Sequence, residues 1–455
     1  MPGPSPVPST GRSPEPTVQA APSSGPSRSG ITLPVKGSGD AEIRMAPGPD
    51  GRVWVSIPAK DGVVVALLDG TGAPSPGWPV RLPGVDGCDK LLPVSDTTLR
   101  IICSVPPPSS RPDDSVARAF SFDANAVPTA GWPVDIADGA NGALDGDDLV
   151  LLFDPLLQIG GEAGQQWPVA VVTIRPDGTQ RKGVEVPFEC CDTDLMLGPR
   201  GVAYGITRQW TPAASDQKAE VLAFGPDGPI PGWPITINGI TSDLAFDAQG
   251  HAYAAVATPD GGTTRTVVLD ATGHLLPASS VGQPVVSTTT WDGAGDGFPG
   301  PPIVASDGTT FILETDPNKT VAVGLDPTGK PLPGWPYRSK STAQWIGGCG
   351  EGDTGCGRTR TDPGIGQDNA LYLLNEASGS STGGSVVAIG ADGVVRDGWP
   401  VGLRRAGATF SSVVIAPYGL AWALVTEPEK KGSSATILAI ADDSTVLWTT
   451  TVVEP

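Results

Sequence analysis

The stretch VVVALLDGTGAPSPGWPVRL (residues 63–82) contains the unit on which the fold prediction depends. An apolar run of strand-forming residues leads into an Asp/Gly turn, and the tripeptide Gly-Trp-Pro then opens a second short apolar segment. The same order recurs in RAFSFDANAVPTAGWPVDI (118–136), EVLAFGPDGPIPGWPITI (220–237), AVGLDPTGKPLPGWPYRS (322–339) and VVAIGADGVVRDGWPVGL (386–403). Three more stretches keep the strand and turn without Gly-Trp-Pro: VAVVTIRPDGTQRKGVEVPF (169–188), TRTVVLDATGHLLPASSVGQ (264–283) and ATILAIADDSTVLWTTTVV (435–453).

These eight units recur at one period along the chain. Their equivalent turn residues are on average about 53 residues apart, which is typical of propeller repeats. The turn residues are Gly72, Ala126, Gly178, Gly228, Gly273, Gly329, Gly393 and Ser444. Each period also contains two further short apolar segments, and Gly/Pro punctuation excludes long helices. We therefore predict an all-β, eight-bladed β-propeller of four-stranded antiparallel blades. If the structure had seven blades, the error in this division into repeat units would lie around residues 275–330.

The Gly-Trp-Pro tripeptide has a structural explanation in such a fold. It lies at the start of the fourth, outermost strand, where Pro removes an N–H that could recruit a foreign strand. Gly permits a tight entry and Trp supplies apolar area for packing between blades. Five copies in five blades favour this structural role over ligand binding.

Composition sets the domain organisation. Residues 1–29 are rich in Pro and Ser and nearly free of large apolar side chains, so we expect a disordered tether. Residues 30–455 are predicted to form the single propeller. ITLPVKG (residues 31–37) resembles a fourth strand, and we expect it to pair with the last blade and close the ring, or to lie along it. The N-terminus lacks the features of a signal peptide, and no apolar run is long enough to span a bilayer.

Charge and cysteine content narrow the partners and the location. The formal net charge of -20 argues against binding nucleic acid or an anionic membrane surface. Six cysteines without zinc-type spacing indicate disulfides, with Cys88/Cys103 and Cys349/Cys356 as loop-pinning pairs. We expect a monomer in an extracellular, cell-surface or periplasmic location, with an anchor upstream of the tether. With two histidines, His251 and His274, a His-rich metal site is excluded.

Loop lengths predict which face carries function. In an antiparallel blade, the connections from the second to the third strand and from the fourth strand to the next blade lie at one end. These connections are long and variable here, whereas the turns at the other end are tight. Long loops on a rigid scaffold are frequent carriers of function. The residues predicted for this binding surface are Trp167, Trp210, Trp291, Trp345, Cys190, Cys191 and Arg208.

Two acidic clusters, Asp292/Asp296 and Glu351/Asp353, are interpreted as solvated turn carboxylates, so no metal site and no catalytic residue is predicted. The Asn318-Lys319-Thr320 sequon would be glycosylated only in a host that N-glycosylates its proteins.

The turn and fourth strand of each unit resemble the pyrroloquinoline-quinone-like (PQQ-like) propeller repeat, an apolar strand followed by Asp, a Gly turn and Trp. ILAIADDSTVLW (residues 437–448) is the most similar unit. Cys190-Cys191-Asp192 followed by RGVAY (residues 200–204) also resembles the vicinal-cysteine segment of quinoprotein alcohol dehydrogenases. That resemblance implies a Cys-Cys ring against a quinone, with Asp192 or Asp194 near a calcium. The seven residues between the two elements exceed the spacing usual in that family.

Three functions follow as hypotheses. The first is a non-catalytic extracellular binding or scaffold module that takes a protein or glycan at the long-loop face, without a cofactor. The second is a PQQ- and calcium-dependent dehydrogenase, and the third is a propeller hydrolase or lyase. We favour the first because the sequence contains no recognisable set of nucleophile, base and orienting residue.

Overall fold

The chain is an eight-bladed β-propeller, a ring of small antiparallel sheets with almost no helix, in a computed structural model. This confirms the predicted fold class and the division into eight blades. The structure describes residues 19–20, 43–59, 61–95, 98–106, 116–137, 141–153, 166–181, 185–189, 193–209, 217–225, 227–247, 249–257, 264–276, 302–305, 307–316, 319–339, 364–366, 368–375, 385–402, 409–416, 420–428, 433–441, 444 and 446–452.

Each blade is built from consecutive strands that pair in sequence order. Blade 1 contains Arg44–Pro47, Val53–Ala59, Gly62–Leu68 and Val80–Pro83. Blade 2 contains Gly87–Ser95, Thr98–Val105, Val116–Asp123 and Val134–Ala137. Blade 3 contains Asn141–Asp145, Asp148–Phe153, Gln166–Ile174 and an outer strand in two pieces, Gln180–Arg181 and Glu185–Glu189. Blade 4 contains Thr193–Leu197, Ala203–Gln209, Lys218–Gly225 and the outer pieces Gly228–Pro229 and Ile235–Asn238.

The second half of the ring follows the same plan. Blade 5 contains, in its described part, Ile240–Phe246, Ala252–Ala257 and Thr264–Leu269. Blade 6 contains Ile303–Val304, Thr310–Asp316, Lys319–Leu325 and Tyr337–Ser339. Blade 7 contains Leu371–Asn375, Ser385–Ile389 and Val401–Gly402, and Ile365 forms a bridge to Leu371 at its inner side. Blade 8 contains Thr409–Ala416, Leu420–Pro428, Ser433–Ile440 and Val446–Val452. Two single 3-10 turns, Pro49–Gly51 and Pro199–Gly201, join the first two strands of blades 1 and 4.

The core lies between the blades. Every residue of Val53–Ala59 and Gly62–Leu68 is buried, because each blade has a neighbour packed on both faces. One apolar cluster combines residues of blades 1 and 2, among them Trp54 and Leu99. Burial on both faces explains why these strands are almost continuously apolar rather than alternating.

The ring closes through apolar packing. Met45 of blade 1 and Val414 and Trp422 of blade 8 belong to one buried cluster. Blade 8 takes all of its strands from the C-terminal part of the chain, so its fourth position is filled by Val446–Val452. Residues 31–37, predicted to close the ring, lie outside the described residues.

Part of the predicted tether is described. Gln19–Ala20 pairs in parallel with Val401–Gly402, the outer strand of blade 7. The remainder of residues 1–29 lies outside the described residues, and the domain boundary at residue 30 stays a prediction.

Where a blade carries the Gly-Trp-Pro motif, its Trp joins that blade to the next. Each motif precedes the outer strand directly, with a cis peptide bond between Trp and Pro. In four motifs the indole Nε1–H donates a hydrogen bond to a backbone carbonyl in the turn of the following blade. The donor and acceptor pairs are Trp78 and Ala124 (2.9 Å), Trp132 and Pro176 (2.9 Å), Trp335 and Ala391 (2.9 Å), and Trp233 and Ala271 (3.4 Å). The predicted packing between blades therefore includes a hydrogen bond that the sequence did not suggest.

The motif glycine is required by two features of the same contact. Gly131 has a φ of +84°, a conformation that L side chains rarely adopt. A Cβ at this position would lie 1.9 Å from the carbonyl oxygen of Asp177 in the turn of blade 3. The backbones of adjacent blades therefore touch where Gly stands, and no larger residue fits.

Blade 3 lacks the motif and uses a charged contact instead. Arg181 of its outer strand donates from Nη2 to Oδ1 of Asp227, in the turn of blade 4, at 2.5 Å. Both side chains are exposed, so this pair contributes less than a buried Trp.

Aspartates cap the turns between the third and outer strands. Oδ1 of Asp326 accepts hydrogen bonds from the N–H of Thr328 (2.8 Å), the hydroxyl of Thr328 (2.7 Å) and the N–H of Lys330 (3.0 Å). These bonds, with that from the Thr328 hydroxyl the largest, hold the pKa of Asp326 below its ordinary value of 3.8. Asp177 and Asp270 are capped in the same manner, and their pKa values are lowered too.

We predict that Gly131→Ala destabilises the propeller by more than about 2 kcal/mol, because it adds both backbone strain and a clash with the next blade. The matched control is Gly70→Ala, since a Cβ at Gly70 meets no atom within 4 Å. Urea unfolding followed by tryptophan fluorescence measures both. Equal losses in the two variants would contradict the proposed contact.

We predict that the stabilising effect of Asp326 is pH-dependent. A carboxylate whose pKa is depressed by folding stabilises the protein above its unfolded pKa, and this contribution disappears as the pH falls through the depressed value, below 3.8. The difference in unfolding free energy between the unmodified chain and Asp326→Asn should therefore shrink between about pH 6 and about pH 3. Asp61→Asn, at an exposed carboxylate, is the control. A difference that does not vary with pH would contradict this assignment.

Candidate functional site

The described strand ends divide the propeller into two unlike faces. On one face, short turns join the first and second strands, for example residues 146–147 between Asn141–Asp145 and Asp148–Phe153. On the other face, second strands end and third strands begin, and the connections include residues 106–115, 154–165 and 210–217. We call the second one the long-loop face. The bounds between second and third strands agree with the loop asymmetry expected from the sequence. The connections from the outer strand to the next blade do not: in the first three blades they span only residues 84–86, 138–140 and 190–192.

Most residues predicted for the binding surface lie outside the described part of the chain. These are Trp210, Trp291, Trp345, Cys190 and Cys191. The expected loop position of Trp167 is wrong: Trp167 is the second residue of the strand Gln166–Ile174, where it pairs with Phe188. The strand begins earlier than predicted because its partner, Glu185–Glu189, extends the ladder to Gln166. Trp167 therefore stands at the strand end on the long-loop face.

Arg208 is the predicted site residue whose contacts the structure describes. It lies near the long-loop end of Ala203–Gln209, the second strand of blade 4. Its Nη2 donates to Oδ1 of Asp243 at 2.6 Å, and its Nε donates to the carbonyl oxygen of Thr241 at 3.0 Å. Both acceptors belong to the first strand of blade 5, so Arg208 joins two blades beside the propeller axis.

A bulge in the first strand of blade 5 presents Asp243 to Arg208. The register shifts between Thr241 and Leu244. Within the bulge, the hydroxyl of Ser242 accepts the N–H of Ala255 at 2.9 Å and donates to the carbonyl oxygen of Asp243 at 2.6 Å. A side chain thus replaces the ladder bond that the bulge interrupts, which stabilises the irregular backbone.

The Arg208–Asp243 pair is largely shielded from water. The exposed fractions of the two side chains are 12% and 25%. A charge-assisted pair with this shielding contributes more than a surface ion pair. The ion pair therefore holds the long-loop ends of blades 4 and 5 rigidly together.

Thr193, two residues after Cys191, pairs with Thr207 next to Arg208, so the chain that follows the vicinal cysteines enters the ring at this point.

A disulfide strengthens the same face in blade 2. Cys88 and Cys103 are cross-strand partners on Gly87–Ser95 and Thr98–Val105, and their sulfurs are bonded at 2.11 Å. Both are buried. This confirms the predicted Cys88/Cys103 pair, whereas Cys349 and Cys356 lie outside the described residues.

The opposite face carries a hydrogen-bonded cluster that the sequence did not reveal. Asp247, 2% exposed, accepts from the Tyr253 hydroxyl at 3.0 Å, lies 2.7 Å from Nδ1 of His251 and accepts the His251 N–H at 2.9 Å. Burial, followed by the nearby Asp247 charge, raises the pKa of Tyr253. In the sequence the first turn of blade 5, DAQGH, looks like any other Asp/Gly turn. The signal that could have identified the cluster is Asp at a position occupied by Gly48 and Gly198 in the turns of blades 1 and 4.

In neighbouring blades, the turns between the first and second strands make further polar contacts around the propeller axis. Asn369 of blade 7 donates to Oδ2 of Asp307 of blade 6 at 2.7 Å. Burial favours a higher pKa for Asp307, but hydrogen bonds from Thr309 and Asn369 outweigh it and lower the pKa. Arg200 of blade 4 bonds to the carbonyl oxygen of Gln249 in blade 5. The described turns of the tight face are therefore held together by contacts between neighbouring blades.

Arg100 is buried between blades 2 and 3 and 2% exposed. Its guanidinium carbon lies 5.1 Å from the ring centroid of Trp132, an arrangement typical of a cation–π contact. Its Nε and Nη1 have no hydrogen-bond partner among the described residues. Burial lowers the pKa of Arg100, while Asp148 and Asp147 counteract that effect. Attraction to the indole ring of Trp132 and to the carboxylates of Asp147 and Asp148 takes the place of a direct ion pair.

The described part of the chain shows neither a metal-binding cluster nor a membrane-spanning helix. It contains no group of three or more His, Cys, Asp or Glu residues arranged to hold a metal ion. Asp192, Asp292, Asp296, Glu351 and Asp353 lie outside it. Over the same residues, no helix has the length and apolar character needed to cross a membrane.

No family model matches the sequence, and no curated protein matches it. Solved structures with a similar fold include dipeptidyl peptidase 4 from Porphyromonas gingivalis, 10% identical with a TM-score of 0.50, covering 90% of this chain and 59% of that chain. The propeller domain of the Trilobed protease from Pyrococcus furiosus is 7% identical with a TM-score of 0.41, covering 87% and 95%. A eukaryotic initiation factor is 10% identical with a TM-score of 0.44, covering 82% and 91%. At 10% identity, the similarity to dipeptidyl peptidase 4 concerns the fold alone.

We predict that Arg208 and Asp243 are energetically coupled. Arg208→Met and Asp243→Asn should each cost about 1 to 3 kcal/mol, because each removes the charge-assisted hydrogen bond between these two side chains. The double variant should lose less than the sum, with a coupling of at least about 1 kcal/mol. The matched control is the more exposed pair Arg118–Asp135, for which we expect a coupling below about 0.5 kcal/mol. Additive losses at Arg208 and Asp243 would contradict the prediction.

Proposed function

We propose that this chain is a non-catalytic, extracellular or surface-anchored binding module that takes a protein or glycan partner at the long-loop face. The observation that carries the proposal is the asymmetry of the two faces. The described turns of the tight face are short and contact one another, whereas the connections between second and third strands vary in length at the other face, where Arg208–Asp243 and Cys88–Cys103 stiffen the strands. Variable loops on a rigid base are the usual design of a recognition surface.

Aromatic and polar residues of the long-loop face suit such partners. Trp167 stands at a strand end on this face, and Trp210 directly follows the strand that contains Arg208. With Trp291 and Trp345 in neighbouring connections of the sequence, they would supply flat apolar surfaces of the kind enriched at protein interfaces. The net charge of -20 favours neutral or cationic partners over nucleic acid.

A hydrolytic role receives less support from the described histidines. Nδ1 of His274 lies 2.7 Å from the Thr272 hydroxyl, beside Asp270, which superficially resembles a catalytic triad. However, that hydroxyl donates to Asp270 at 2.8 Å, and the same Asp–Thr bond recurs without histidine in Asp69/Thr71. The arrangement is therefore the repeated turn cap, and His274 is an exposed addition to it.

We also infer that the blades belong to the PQQ-like class of repeats. The pattern on which the resemblance rests, an apolar strand, an Asp/Gly turn and a Trp, forms one physical unit here, because the Trp of one blade contacts the turn of the next. A quinone- and calcium-dependent dehydrogenase would additionally need Cys190, Cys191 and Asp192, which lie outside the described residues, or Asp194, which belongs to the strand Thr193–Leu197.

The disulfide supports the proposed compartment. Cys88–Cys103 indicates a non-reducing environment, since cytosolic thiols are kept reduced. An extracellular or cell-surface location and a monomeric state are parts of the proposal.

We predict that Trp210→Ala weakens partner binding more than tenfold, because an aromatic anchor at an interface is worth about 2 kcal/mol or more. The probes are arrays of soluble oligosaccharides and of peptides, read with the fluorescently labelled full chain. The control is Val394→Ala, at a residue 60% exposed on the opposite face. Both variants should keep their melting temperature.

Two outcomes would contradict the proposal. One is a loss of binding in Val394→Ala with Trp210→Ala unaffected, which would move the surface to the tight face. The other is alcohol-dependent dye reduction on adding PQQ and calcium that disappears in Cys190→Ala, which would establish the dehydrogenase instead.

A further inference from the structure

Blade 2 departs from the repeat at the residue that lies against its motif Trp. In each of the five blades with Gly-Trp-Pro, a side chain of the second strand contacts the indole ring of that Trp. In four blades this side chain is aromatic, and its ring centroid lies 4.9 to 5.6 Å from that of the Trp. These four residues are Trp54, Tyr204, Phe311 and Tyr372. In blade 2 the residue is Arg100, which places a charge where the repeat has an apolar ring.

The residue paired with Arg100 departs from the repeat in the same direction. Arg100 stands directly opposite Ser121 of the third strand, so the two side chains lie on one face of the sheet. In the other four blades the residue opposite the aromatic side chain is Leu67, Ala223, Gly324 or Ala388. Ser121 is 1% exposed, and its hydroxyl oxygen lies 2.8 Å from that of Thr129. One hydroxyl hydrogen lies in this bond, so the other can donate to a further acceptor.

This polar pair lies in the interior between blades 2 and 3. Ile102 is two residues after Arg100 and on the same face of the strand, and it belongs to the buried cluster that contains Leu149 and Leu151 of blade 3. Arg100 therefore points into the same interface, where it is 2% exposed. It is the third residue of Thr98–Val105, so the pair lies towards the tight face.

The described residues around Arg100 leave part of its guanidinium without an acceptor. Nε and Nη1 have no hydrogen-bond partner among them. Burial is the largest effect on the pKa of Arg100 and lowers it, so the attraction of Asp148 and Asp147 does not offset the loss of water. The ring of Trp132 attracts the charge, but it gives the in-plane N–H groups no acceptor. A buried cation is costly unless it is paired and its donors are satisfied.

We infer that Arg100 and Ser121 bind a small monovalent anion, of the halide class, between blades 2 and 3. Nε–H and Nη1–H of Arg100 donate to the anion. Ser121 accepts the hydroxyl hydrogen of Thr129 and donates its own to the anion. The site ties the two blades together and is independent of the partner surface on the long-loop face.

The charges around the site favour a halide over the other small acceptors. A water molecule would accept from the two N–H groups, but it would leave the charge of Arg100 unpaired and would need acceptors for its own hydrogens. An anion satisfies the donors and the charge together. Asp147 and Asp148 disfavour more than one negative charge at this place, because both carboxylates act on Arg100 through Coulombic attraction.

The dependence of stability on chloride tests the site. Replacing gluconate by chloride at constant ionic strength, from about 5 mM to about 300 mM, should raise the melting temperature of the full chain by at least about 2 °C, because a ligand that binds the folded state stabilises it by mass action. Arg100→Met should lose this response. The matched control is Arg118→Met, at a more exposed arginine of the same blade, which should keep the response.

A second variant serves if Arg100→Met does not fold. Ser121→Ala introduces the residue type that Ala223 and Ala388 have at the equivalent position, so the blade accommodates it. It removes one donor to the anion and should need at least about fivefold more chloride for the same rise in melting temperature.

Bromide scatters X-rays anomalously and therefore identifies the occupant in crystals of the unmodified chain. We expect an anomalous peak within hydrogen-bond distance of Nε and Nη1 of Arg100. The inference is overturned if only a water lies there, if the melting temperature of the unmodified chain does not rise with chloride, or if Arg100→Met, or Ser121→Ala in its place, keeps the full response.

Discussion

The contact between the Gly-Trp-Pro corner of one blade and the turn of the next is the constraint on which the ring depends. At Gly131 the two backbones approach too closely for any Cβ, and the adjacent Trp132 donates its Nε1–H to the carbonyl oxygen of Pro176. One motif therefore supplies an apolar surface, a hydrogen bond and a fixed spacing. A buried indole needs a partner for its N–H, and the neighbouring turn provides it without any additional residue.

This contact lies at the tight end of the blades, and that position explains why the two faces differ. Turns that must fit against a neighbouring blade keep their length and their Asp caps, such as Asp326. Connections at the other end are not subject to this constraint, so they can vary in length and composition. The polar contacts described near that end, above all Arg208–Asp243, tie strands of neighbouring blades together.

The fold could be predicted from the sequence more completely than the candidate site, for a physical reason. The strand, turn and Trp repeat with fixed spacing, so eight blades and their strand order could be derived from the local pattern alone. The cross-strand pair Cys88/Cys103 was also predictable, since both residues stand at matching ends of adjacent strands. Trp167 was placed in a loop because a strand boundary depends on how far its partner extends, and the partner strand is distant in sequence.

What the sequence by itself determined is therefore whatever depends on local repetition: the all-β class, the blade number, the turn positions and the division into a tight and a long-loop face. Tertiary structure alone decided the contacts that the local pattern does not specify: the indole to carbonyl bonds between blades, the bulge at Ser242 that presents Asp243 to Arg208, and the Asp247–His251–Tyr253 cluster within blade 5. These contacts depend on residues at which one blade departs from the repeat, or they join residues that lie a whole blade apart along the chain. Local patterns in a sequence specify strands and turns, whereas distances between blades are set only when the ring closes.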